Sequence, residues 1–182
     1  MALLDAIRGQ LGQSGVDQIS QHLGVNSGLA QTAIAAALPM IVAGMARHAS
    51  QPDGAAAIQQ AAEAHRDVPD NIDNVLQAGP PADTAGSGGL VGRILGQHNS
   101  SVEDGVQRAT GLDGEKTRKL LMMLSPIVLG MMARKHFGDQ QQQANPAQIN
   151  DALQQEAQAA QQQAQRQSPH IGGILGQIFG NL

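Results

Sequence analysis

The sequence has no cysteine, no tryptophan and no tyrosine, and its two phenylalanines are Phe137 and Phe179. Without cysteine there is no disulfide, no thiol nucleophile and no thiolate metal site. Hydrophobic residues make up 41% of the chain but aromatics only 1%, so a core must be filled by Ala, Leu, Ile, Val and Met. Small side chains of this kind favour closely packed helices over wide hydrophobic layers. Charge is also sparse, at 14%, with a formal net charge of −4. That balance argues against a nucleic-acid surface, which usually shows a basic patch. The opening residues, MALLDAIRGQ, show no basic run followed by an apolar core, so no secretory signal is expected. The longest nearly uncharged apolar runs, Ala33–Ala46 and Leu120–Ala133, hold about 14 residues each, short of the roughly 20 that span a bilayer. They are expected to be buried core helices of a soluble, cytoplasmic protein.

Chemistry-bearing groups are scattered. His22, His48, His65, His98, His136 and His170 include no pair at the i, i+4 spacing of a helical metal site. None stands beside a glutamate in a metalloprotease pattern. Asp5, Asp17, Asp53, Asp70, Asp104 and Asp113 mostly fall where a helix would begin, and the helix dipole accounts for acids there. No catalytic residue, metal ligand, cofactor or small-molecule substrate is expected, and the protein reads as a non-enzyme.

What the chain does have is helical periodicity and punctuation. Leu3, Leu4, Ile7 and Leu11 share one helical face, and Gly12 can end that helix. Ser14 and Asp17 resemble a capping box for a second short helix lined by Val16, Ile19 and Leu23. Gly24 stands where a positive φ is needed, and Asn26 is a good N-cap for a long helix reaching His48. Pro39 inside that helix removes a backbone donor at a cost of about 3 kcal/mol. Because the apolar pattern continues through Met45, a kink or two abutting helices is expected. Asp53 and Asp70 could cap helices over Ala55–His65 and Asn71–Ala78, ended by Gly79. The stretch 79–89, GPPADTAGSGG, has linker composition.

The pattern then returns. Laying each residue on the one 87 positions later gives eleven identities over the 45 pairs from 3/90 to 47/134, without a gap. Gly24 meets Gly111, Pro39 meets Pro126, and Asn26 meets Asp113, one good N-cap for another. The matches concentrate where backbone geometry dictates residue type, which favours an internal duplication. Residues 140–167 hold thirteen Gln, yet Asn145-Pro146 can start a helix and Ile149, Leu153, Ala157, Ala160 and Ala164 form a thin apolar stripe. Finally Ile171–Leu182, IGGILGQIFGNL, echoes Gly88–Gln97, GGLVGRILGQ, and reads as the first helix of a third unit. The expected architecture is all-α: two tandem helical units, residues 1–87 and 88–170, closed by a capping helix over 171–182.

The stretches GGLVGRILG and GGILGQIFG, the Gly–(Val/Leu)–(Asn/Asp) turn and the long helix with its proline resemble the bacterial family called domain of unknown function 937, close to the YidB-like proteins. The resemblance covers most of the chain. It implies no activity, substrate or site residue.

Two functional expectations follow from the residues. The glycine stripes Gly88, Gly92, Gly96 and Gly172, Gly176, Gly180 permit close helix approach, with Ile174, Leu175, Ile178 and Phe179 on the other face of the second. Each helical glycine costs about 1 kcal/mol relative to Ala, so tight packing should compensate, within the chain or between chains. The leading expectation is a structural or interaction protein that self-associates through Ala/Gly/Met-rich helices, with itself as partner. The alternative is DNA binding by a helix-turn-helix-like corner, Gly111–Arg118, with Lys116, Arg118 and Lys119 on phosphates. Contact with a membrane surface is disfavoured, because the segment 171–182 lacks a basic polar face.

Overall fold

Local punctuation sets the helices. A computed structural model of the protein describes residues 3–51, 53–80, 89–137 and 146–167. All regular structure among them is helical: α1 (Leu3–Leu23), α2 (Ser27–Ala49), α3 (Gly54–Ala64), α4 (Ile72–Ala78), α5 (Leu90–Leu95), α6 (Asn99–Thr110), α7 (Gly114–Phe137) and α8 (Pro146–Gln167). Short 3-10 turns, Val68–Asp70 and Gly96–His98, precede α4 and α6. The residues Gly88, Gly172, Gly176, Gly180, Ile174, Leu175, Ile178 and Phe179 lie outside the described residues, as does Asn145.

α1 is interrupted at Gly12, whose φ of 54° and ψ of −167° are not helical. It therefore comprises two short helices, as the sequence predicts. Gly24 closes the second at φ +63°. The Asn26 side chain then accepts the Leu29 N–H at 2.8 Å and starts α2. The later corner is built from the same parts. Gly111 has φ +73°, and Asp113 Oδ1 accepts the Lys116 N–H at 2.9 Å. Both long helices run through an internal proline, Pro39 and Pro126, without a stop.

Other expected caps are not made. Asp17 Oδ1 takes the Ser27 hydroxyl at 3.0 Å and Gln13 Nε2 at 3.2 Å rather than closing a box with Ser14. Asp104 lies inside α6 rather than at its start, because the 3-10 turn feeds straight into a helix beginning at Asn99. Asp53 occupies the cap position of α3 without a side-chain bond. Asn71, not Asp70, precedes α4, and Asp70 instead pairs with Arg134 at 3.0 Å.

One hydrophobic cluster joins α1 to α8. Ala33, Ile34, Ala37, Leu38, Met40 and Ile41 of α2 are all at most 3% exposed, and Leu120, Leu121, Leu124, Ile127 and Val128 of α7 at most 1%. Each long helix is covered largely from the other half of the chain. α2 packs most extensively on α8 and α6, while α7 receives α1, α3 and the 3-10 turn Val68–Asp70. Two glycines set how closely these covers approach. A Cβ on Gly44 of α2 would stand 2.7 Å from Leu95 and 2.9 Å from Val102. A Cβ on Gly130 of α7 would stand 2.6 Å from the His65 carbonyl oxygen and 2.7 Å from the Pro69 ring. α2 is long and apolar enough to cross a membrane, but 78% of that stretch is buried in the fold.

Candidate interaction surface

The Gln-rich helix α8 docks by its apolar stripe. Ile149, Leu153, Ala157 and Ala160 are at most 2% exposed. One acid shares that stripe: Glu156, three residues after Leu153 and four before Ala160, is 7% exposed. A buried carboxylate is costly unless its oxygens are satisfied, and here three groups from two other helices converge on it. The backbone N–H of Leu3, at the start of α1, donates to Oε2 at 3.1 Å. The Lys135 ammonium, near the end of α7, donates to Oε1. His136 Nε2 lies 3.4 Å from the same Oε1. Both helix ends suit the anion: α1 offers an unpaired N–H, and α7 carries its cations where the dipole favours them. A second bond from Gln163 to Asp5, 2.8 Å long, fastens α8 to the first turn of α1. Burial holds the His136 imidazole below its usual value; Glu156 opposes that shift and Lys135 adds to it.

A second polar group gathers at the end of α2. The His48 ring packs on Gly96, where a Cβ would lie 2.5 Å from Nδ1, and that nitrogen is buried without a hydrogen-bond partner. Gln51 Nε2 is 3.4 Å from His98 Nε2. Burial, then Arg47 and His48, lower the basicity of His98. Among the described residues, no three His, Asp or Glu side chains are grouped as a metal site.

The residues singled out from the sequence fall in different places. Gly92 is buried within α5, and Gly96 (φ +55°) joins α5 to the following 3-10 turn. Lys116, Arg118 and Lys119 lie together at the start of α7, but each carries an acid. Lys116 pairs with Asp113 at 3.1 Å, Arg118 with Glu103 at 2.9 Å and Lys119 with Glu115 at 2.7 Å. The ammonium and the N–H of Lys116 in turn hold the Asp113 carboxyl below the usual carboxylate range, the N–H contributing most. The Glu156 cluster escaped sequence reading, although a lone acid at i+3 and i−4 of an apolar stripe was its signal.

The architecture so far is that of an all-α protein whose two long, proline-containing helices share one core. Residues 5–135 match the family described as "Bacterial protein of unknown function (DUF937)", and the chain belongs to that family. No curated protein and no solved structure matches it.

Proposed function

We propose that this is a cytoplasmic, non-enzymatic interaction protein that associates with copies of itself, built from two copies of one helical unit. The duplication reading is supported by geometry 87 residues apart: Gly24 and Gly111 both at positive φ, Asn26 and Asp113 both capping, Pro39 and Pro126 both inside long helices. The observation that carries self-association is the exchange of covers between halves. α8 and α6 are the most extensive covers of α2, while α1 is that of α7 and packs on α2 nearly as extensively. Contacts made between two halves of one chain can equally be made between two chains, which is the low-cost route of domain swapping. DNA binding gains no comparable support, since the three candidate cations are balanced by Asp113, Glu103 and Glu115. The test is light scattering on the full chain over a hundredfold range of concentration. Masses at whole multiples of the 18.9 kDa chain are expected. A single-chain mass at every concentration would sink the proposal.

A further inference from the structure

Two segments of one sequence pattern fill two seats in this fold, and the chain carries a third such segment. Leu3, Leu4, Ile7 and Gly9 correspond in order to Leu90, Val91, Ile94 and Gly96, and again to Ile174, Leu175, Ile178 and Gly180. The first segment is the opening half of α1. Its Leu3, Leu4 and Ile7 are at most 3% exposed; α1 packs on α7, and its first turn is held by Glu156 of α8. The second is α5, whose Ile94 and Leu95 are fully buried and which packs on α2 and α3. α1 also packs on α2 and α5 also on α7, so both copies of the pattern are already seated in the shared core.

We infer that the third copy, residues 171–182, binds a second copy of this chain and takes there the seat on α7 that residues 3–11 fill. The inference rests on the self-association reading and names its contact. Two observations select this seat over that of α5. Gly12 breaks α1 at φ +54°, so residues 3–11 can leave α7 without disturbing the helix after the break. In addition, the half-buried Arg8 of the resident segment corresponds to Phe179 of the third copy, so the incoming copy places more apolar surface at that position, while giving up the bond between Gln163 and Asp5. α5 already has Leu95 at that position and is continuous with the 3-10 turn that starts α6.

The full chain is compared with Ile178→Asp and Ile7→Val by light scattering and by helical melting curves. Ile178→Asp is expected to weaken association at least a hundredfold and leave the melting of the monomer unchanged. Ile7→Val, which loosens the resident by one methylene, is expected to tighten association several-fold. If the chain associates but Ile178→Asp does so equally well, this inference fails while self-association stands. If Ile178→Asp is monomeric but melts lower, residues 171–182 pack within their own chain, and the inference is again overturned. Weaker association of Ile7→Val would refute the shared seat. A wild-type chain that is monomeric throughout would end both readings.

Discussion

Gly130→Ala and Gly9→Ala exchange the same hydrogen for the same methyl in two helices, and their surroundings set opposite signs. In either helix the exchange gains about 1 kcal/mol of helix propensity. Around Gly9 nothing approaches within 4 Å of the added carbon, so that gain is kept. For a chain of this length it corresponds to a melting temperature higher by about 2–4 °C. At Gly130 the methyl would meet the His65 carbonyl oxygen at 2.6 Å and Pro69 Cδ at 2.7 Å. Neither neighbour is the end of a long side chain that could swing away. The His65 oxygen accepts the Val68 N–H at 3.1 Å, and Pro69 is buried in the 3-10 turn. Overpacking of this kind costs about 1–3 kcal/mol. With two rigid neighbours the upper end applies, leaving Gly130→Ala about 2 kcal/mol less stable and melting about 4–8 °C lower. Circular dichroism melts with urea titration of both variants provide the assay. A Gly130→Ala protein as stable as Gly9→Ala would show that the turn Val68–Asp70 does not press on α7.

Three further outcomes follow from the caps and the buried charge. Asn26→Ala, which deletes the acceptor of the Leu29 N–H, should cost about 1 kcal/mol in urea denaturation. Glu156→Ala leaves Lys135 and the Leu3 N–H without their acceptor; a loss of about 1–3 kcal/mol is expected, with amide exchange quickening first in α8. His136 and His98 titrate below their usual range in the folded state. The unfolded chain therefore takes up these protons first as pH falls. Stability should be complete above an ordinary imidazole value of about 6.5 and decline as pH drops through the lower folded values. Melting at stepped pH checks this, and His136→Gln should flatten the decline.

The sequence was most readable where a residue's job is set by its neighbours along the chain. Gly24, Asn26 and Gly79 declare backbone needs within a few residues, so the helix ends they mark could be anticipated. Local reading failed where a competing local partner existed: Asp17 bonds Ser27 and Gln13 rather than capping. The Glu156 cluster joins residues 153 and 21 positions apart, a pairing fixed only by how α1, α7 and α8 cross. Likeness between the halves, read from an alignment, likewise carries no information on which half covers which helix.

The exchanged covers also set a timetable for synthesis. α2 is complete by residue 49, but its main covers are residues 99–110 and 146–167. At about 5–20 residues per second, a translating ribosome delivers α8 on the order of ten seconds after α2. Through that interval the 23-residue α2, apolar enough for a bilayer, waits with most of its eventual partners unmade. The nascent chain therefore exposes this apolar helix until the last described helix, α8, has been made.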